Sequence, residues 1–194
     1  MKKFKYNKVW FTSDLHFNHN NIITKFQFRP FKDVTDMQEQ LILKWNSVVE
    51  IDDFIFILGD FSMHLTKEEN KKILQKLNGI KYFILGNHDN LRQTPKECFE
   101  NIKDIMDIKV EEKKGKVTQI SLCHYPMLSW KGSHHGSWQL YGHLHGEYSN
   151  KELSDDSFNL KGALRTKQQL DVGTDVHDFF PISYSEVKEL LKKG

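Results

Sequence analysis

Five short apolar runs, each stopping at a polar cluster, constrain this chain more than any other feature of its sequence. They are KVWFTSDLH (8–16), FIFILGD (54–60), KYFILGNHD (81–89), TQISLCHYP (118–126) and WQLYGHLHG (138–146), and QQLDVGTD (168–175) is similar. Runs this short, rich in β-branched and aromatic residues and bounded by Gly or Pro, fit buried strands better than helices. The polar cluster falls at the carboxyl end of every run. Open α/β sheets bind their ligands beyond the carboxyl ends of the strands, so the chemistry of this chain is expected there.

Helical signals lie between the runs. Thr35-x-x-Gln38 matches a capping box and is followed by Met37, Leu41, Trp45 and Val48 at helical spacing. Thr66-x-x-Glu69 opens a second helix, with Ile73, Leu74 and Leu77 on one face and Gly79 as its expected C-cap. Thr94-Pro95-x-Glu97 starts a short third, and Ser183-x-x-Glu186 begins a terminal one through Leu190 and Leu191. This alternation in the first half implies parallel strands. After Asp104 the chain becomes richer in strands, and EEKKGKV (111–117) reads as a hairpin turn with Gly115 supplying a positive φ. Residues 149–168 are polar and are expected to form an exposed loop or ragged hairpin. With no linker, repeat or boundary in view, the 194 residues are expected to form one domain, 1–194.

Composition excludes several classes. A 38% hydrophobic, 28% charged chain without low-complexity tracts reads as soluble and globular. A formal charge of +2 neither argues for nucleic acid nor rules it out. No run approaches the roughly 18 apolar residues of a membrane helix, and the first residues lack the apolar stretch and cleavage site of a signal peptide. Cys98 and Cys123 form no CxxC, which leaves neither a disulfide framework nor a thiolate zinc site. The expectation is a reduced, cytoplasmic protein. Its unusual feature is ten histidines.

Taken singly, the clusters are weak. Asp14-x-His16 could be a turn aspartate and a surface imidazole, Asp60 could be turn chemistry, His124 a satisfied core histidine, and Asn87-His88-Asp89 a plain Asx turn. His143 and His145 tilt the other way, because imidazoles at i and i+2 on a strand share a face and such pairs rarely serve packing. Together the seven residues Asp14, His16, Asp60, Asn87, His124, His143 and His145 offer carboxylate, amide and imidazole donors without a thiolate. That mixture suits divalent first-row metals rather than calcium or an iron–sulfur cluster. Seven donors exceed one tetrahedral site and suit two metals sharing a carboxylate.

The motifs DLH, GD, GNHD, the lone His of CHYP, and GHLH, in that order, resemble the calcineurin-like metallophosphoesterase superfamily from residue 9 to about residue 180. The resemblance implies an α/β fold, a four-layer αββα sandwich of two mixed β-sheets flanked by helices. It implies one metal held by Asp14, His16, Asp60 and His145, and another by Asp60, Asn87, His124 and His143, with Asp60 as the bridge. Manganese is the leading expectation, with iron, nickel or zinc as alternatives. His143 and His145 would then each reach a different ion. His88 would sit beside the substrate as the catalytic histidine, oriented by Asp89 or another carboxylate.

The activity expected is hydrolysis of a small phosphodiester or phosphomonoester, nucleotides leading, by hydroxide held between the metals attacking phosphorus in line. GDFSMH (59–64) lacks the Asp-Arg-Gly of the serine/threonine phosphoprotein phosphatases, which counts against that activity. DLHFNHNNII, FRPF and LDVGTDVHDFFPIS look like a small bacterial and phage subset. Substrate contacts are assigned to Asn18 and His19 near the first motif and to Arg29 and Arg165 as phosphate clamps. His134 and His135 join them, on a loop (127–138) expected to overhang the site. Each has a blander alternative: a turn, a surface salt bridge or a solvated loop histidine. His64 and His177 stay unassigned, and Cys123 reads as a buried small residue. A nuclease acting on DNA or RNA is the runner-up. A non-catalytic scaffold, as in the retromer subunit of the superfamily, is disfavoured because His88 and every ligand position are filled.

Overall fold

The computed structural model describes residues 1–25, 29–146 and 167–193. In chain order its strands are β1 (Lys3–Lys5), β2 (Val9–Thr12), β3 (Phe54–Leu58), β4 (Ile80–Ile84), β5 (Asn101–Lys103), β6 (Ile105–Glu111), β7 (Val117–Cys123), β8 (Trp138–Tyr141), β9 (Gln169–Asp171) and β10 (Ile182–Ser183). The helices are α1 (Asn20–Thr24), α2 (Val34–Val48), α3 (Lys67–Leu74) and α4 (Tyr184–Lys193). One sheet has the order β10-β2-β3-β4-β5, parallel except for β10; the other has the order β1-β6-β7-β8-β9, with β6 and β7 antiparallel. Two mixed sheets flanked by helices agree with the expectation, as do the parallel strands of the first half.

Strand β3 shows why its run is apolar throughout. Phe56 and Leu58 face the core between the sheets, whereas Ile55 and Ile57 face Met37, Leu41 and Trp45 of α2 and Ile73 of α3. A strand buried on both faces needs no polar alternation. In β7 polar and apolar residues alternate from Gln119 to Leu122. Ile120 and Leu122 point into the inter-sheet core, while Gln119 and Ser121 face outward. Tyr184, Val187 and Leu191 of α4 join that same core, against β9 and β10.

The outer face of the second sheet carries two buried amides, Gln139 and Gln169. Among the described residues it is covered by the 125–137 segment, with a single 3-10 turn at Ser133–His135. Both amides need partners. Gln139 Nε2 donates to the Tyr125 carbonyl at 3.2 Å, and Gln169 Nε2 to the Met127 carbonyl at 2.9 Å. A loop with free backbone groups satisfies them; a helix, with its carbonyls already bonded, would not.

Local signals fared unevenly. Thr66 and Glu69 form the expected capping box on α3, and Ser183 and Glu186 exchange the same pair of bonds at the start of α4. On α2 the cap is Asp33, whose carboxylate accepts from the Asp36 amide at 2.9 Å; Thr35 lies inside the helix. Helix α3 ends at Leu74, so Gly79, at φ +91, turns the chain into β4 instead of capping the helix. The Thr94-Pro95 signal yields only a 3-10 turn over Lys96–Cys98. Lys114 and Gly115 both take positive φ in the β6–β7 connection. The expected loop at 149–168 falls almost wholly outside the described residues. Among those residues no helix is long and apolar enough to cross a membrane.

Candidate metal centre

The polar clusters meet where the carboxyl ends of the strands converge. Backbone bonds stitch them together: Asp14 N–H to the Gly59 carbonyl (3.1 Å), His16 N–H to the Asp60 carbonyl (3.0 Å), and Gly142 N–H to the His124 carbonyl (2.9 Å). The two sheets touch there as well, through a bridge between Ser13 and Gly173. Asp14, His16, Asp60, His143 and His145 all hold positive φ, between 47° and 72°. Non-glycine residues pay a steric penalty in that region, and such strain gathers at functional sites. His143 and His145 are thus not strand neighbours: β8 ends at Tyr141, and two left-handed residues flanking Leu144 send the rings to separate places.

Two groups result. The ligand-capable atoms of Asp14, His16 and His145 all lie within 4.8 Å of one another, and those of Asp60, His124 and His143 do the same. One oxygen joins the groups. Asp60 Oδ2 is 3.5 Å from His124 Nε2 and 3.7 Å from His16 Nε2. Asp60 Oδ1 accepts the backbone N–H of His88 at 2.9 Å. The His143 backbone N–H donates to both oxygens of Asp14, at 2.9 and 3.1 Å, tying the second group to the first.

The hydrogen-bond inventory calls for cations. His124 Nδ1 lies 2.7 Å from the Leu58 carbonyl and must carry the proton there. When the ring is neutral its Nε2 presents a lone pair to Asn87 Oδ1 at 3.0 Å and to Asp60 Oδ2, three acceptors that only a proton or a cation can pair, and the Asp60 charge favours either. His16 is 2% exposed, yet neither of its ring nitrogens has a hydrogen-bond partner among the described residues. Unpaired buried polar atoms are costly, and a divalent cation with nitrogen and oxygen ligands satisfies this donor set.

The electrostatics agree. Burial pushes the Asp14 carboxyl up to about 6, partly offset by His145 and His124. Burial also raises Asp60, but the His124 hydrogen bond and charge and the His88 amide outweigh it and hold that carboxyl at about 2. Burial and the Arg29 charge drive His16 well below its ordinary value. Asp14 and His16 are thus a carboxyl and an imidazole held neutral more readily than in water.

Residues around the seven sort less simply. The His88 ring is exposed at the rim, its centroid 5.5 Å from that of His16. Asp89 does not orient it. Its carboxylate accepts the backbone N–H groups of Gly86, Asp60 and Phe61 at 2.8 to 3.1 Å, clamping the GNHD turn to the GD turn. His19 lies beside His16 and His88, at 5.1 and 6.4 Å between ring centroids. Asn18 donates to the Met63 carbonyl at 3.1 Å, a long-range bond across 45 positions. Arg29 is no phosphate clamp: it is buried, with Asp175 and the Leu15 and Asp14 carbonyls taking its guanidinium. The 127–138 loop does not overhang the site. Ser133 accepts from Gln168 at 2.9 Å, beside the amino-terminal start of β9, so His134 and His135 lie at the opposite end of the sheet. Arg165 lies outside the described residues.

Two contributors escaped the sequence reading. Asp175 Oδ2 holds His145 Nδ1 at 2.7 Å, and only the run QQLDVGTD hinted at a sixth strand end. Tyr125 is 43% exposed, with its ring 5.0 Å from that of His124 and 4.9 Å from that of His143. Close packing sets a further demand. A methyl group added at Gly86 would lie 2.3 Å from Asp60 Oδ1 and 2.7 Å from Asp60 N. Gly86→Ala should therefore displace Asp60, costing about 1–3 kcal/mol of stability and weakening cation binding. Chemical denaturation and a metal titration on the same variant check this, and unchanged values for both would refute it.

A family model described as calcineurin-like phosphoesterase matches residues 7–172. An uncharacterized protein of Methanocaldococcus jannaschii, MJ1445, is 32% identical over 189 residues, covering 96% of this chain and 93% of its own. The Gene 66 protein of Mycobacterium phage D29 is 28% identical over 206 residues, covering 94% of this chain and 95% of its own. A solved structure of a protein of unknown function from Aquifex aeolicus shares the fold, with a TM-score of 0.66 at 24% identity over 94% of this chain and 98% of that one. The strand-end motifs lie within a family match that spans most of the sequence, and the chain belongs to the calcineurin-like phosphoesterases, hydrolases of phosphoester bonds.

Proposed function

We propose that the protein hydrolyses a small phosphodiester or phosphomonoester, with nucleotides as the leading class, at a centre for two divalent cations. Asp14, His16, Asp60 and His145 hold one cation; Asp60, Asn87, His124 and His143 hold the other. The observation that carries this reading is the position of Asp60 Oδ2, which faces a histidine nitrogen of each group at 3.5 and 3.7 Å. Bound there, the pair would supply Lewis acidity and a water acidified toward neutral pH.

The chain's own residues supply the rest. Asp60 keeps its charge and so serves both groups at once. His124 and His145 have their Nδ1 atoms anchored on Leu58 and Asp175, which leaves Nε2 as the ligating atom of each. His88 stands at the rim with its backbone fixed on Asp60 and its ring toward His16, able to donate a proton to a leaving oxygen or stabilise charge on the phosphoryl group. His19, next to it, lines the same side. Manganese is our leading choice of cation. Cys98 and Cys123 are both free thiols, which fits a cytoplasmic setting.

The test restores each of Mn, Fe, Ni and Zn to stripped protein and assays phosphomonoesters, cyclic nucleotides, dinucleotides and single-stranded DNA. Two cations per chain and turnover of a small ester support the reading. Preferential, strongly salt-dependent cleavage of DNA would replace it with a nuclease. His88→Ala should retain both cations and lose about 10²–10⁴-fold in turnover; unchanged turnover removes His88 from the reaction.

A further inference from the structure

We infer that Asp175 is a positioning residue for one of the two cation positions, acting through His145 and anchored by Arg29; the inference rests on the dinuclear reading above. Asp175 Oδ1 accepts from Arg29 Nε at 2.7 Å, and Asp175 Oδ2 from Arg29 Nη2 at 2.8 Å and from His145 Nδ1 at 2.7 Å. An arginine fork matched to a carboxylate fixes the plane of that carboxylate. The third bond then fixes the imidazole. With Nδ1 donating to Asp175, His145 Nε2 carries a lone pair and faces Asp14 Oδ1 at 4.0 Å.

The same guanidinium reaches further. Arg29 Nη1 donates to the Leu15 carbonyl at 2.8 Å and Nη2 to the Asp14 carbonyl. Those carbonyls belong to the turn that presents Asp14 and His16. One buried ion pair therefore braces all three members of the Asp14, His16, His145 group, two through their backbone and one through its ring. In the other group, His124 takes its orientation from the Leu58 carbonyl. The brace is one-sided.

That asymmetry separates positioning from general support. Asp175→Asn keeps the volume and an oxygen that can accept from His145 but removes the charge that holds Arg29. In the full chain, titrated with manganese and followed by calorimetry and electron paramagnetic resonance, one of the two binding steps should weaken by about 10–100-fold. The other should hold, leaving the signal of an isolated ion where the wild type gives a coupled pair. Equal weakening of both steps, or of neither, overturns the inference. Nitrogen-15 resonances of His145 in stripped wild-type protein need no variant. They should report the Nδ1–H tautomer, and an Nε2–H tautomer would overturn the inference even if Asp175→Asn failed to fold. A wild type that bound fewer than two cations would instead defeat the dinuclear reading, leaving the tautomer result to stand by itself.

Discussion

Asp60→Asn should reduce phosphoester turnover by about 10³-fold and remove at least one cation per chain. Among the described residues, Asp60 is the one side chain whose single oxygen faces histidines of both groups, at 3.5 and 3.7 Å. The carboxyl is held ionised at about 2, so in the wild type its charge is present across the working pH range. The amide is close in shape but neutral, and it turns one of its two acceptors into a donor aimed at a histidine or a cation. Charge stabilisation by a shared ion pair is worth several kcal/mol in such a reaction, and about 1.4 kcal/mol corresponds to tenfold in rate. Kinetics and elemental analysis on the same sample check both halves. Wild-type turnover with two cations retained would refute the bridging role.

Arg29→Leu should be strongly destabilising although Arg29 is no ligand. It removes both guanidinium bonds from the buried Asp175 carboxylate, which keeps His145 Nδ1, and leaves the Leu15 carbonyl without the bond that Arg29 Nη1 gives it. Removing one partner of a buried ion pair costs about 3–5 kcal/mol. For a chain of this size each kcal/mol moves Tm by about 2–4 °C, so a fall of roughly 6–20 °C is expected in thermal unfolding of stripped protein. Acid adds a second signature. Burial raises Asp175, but the His145 hydrogen bond and Arg29 outweigh it and depress its carboxyl from 3.8 to about 2. A depressed folded value contributes stability fully above 3.8, and that contribution is lost as pH falls through about 2. The wild type should lose this increment across that window. In Arg29→Leu most of it is already gone, so the gap between the two proteins should narrow as pH falls. A gap below about 1 kcal/mol at neutral pH would show that Arg29 is dispensable to the fold.

The two histidines of GHLH mark the boundary between what each level of description explains. Their pairing is visible in the chain, and so is their place at the end of an apolar run. The reason they reach different groups is not strand alternation but two consecutive departures into left-handed backbone, at φ 72° and 47°. Nothing local announces that conformation; it exists because the His143 amide is drawn onto Asp14 and the His145 ring onto Asp175. Asp89 and Arg29 teach the same lesson from the other direction. Each carries a group suited to catalysis or phosphate binding, and each is wholly engaged in holding turns together.

Sequence by itself determined the strand runs, the caps at Thr66 and Ser183, and the seven donors at the strand ends. These depend on burial periodicity and on bonds closed within about four residues, which neighbours in the chain control. The partition of the donors into two groups was already implied by the resemblance. Tertiary structure alone decided that Arg29 and Asp175 meet across 146 positions, and that the 127–138 loop lies over the sheet and away from the site. A charged side chain takes whichever partner the fold brings within hydrogen-bonding distance, and the long-range packing that sets that distance is written in no single segment of the chain.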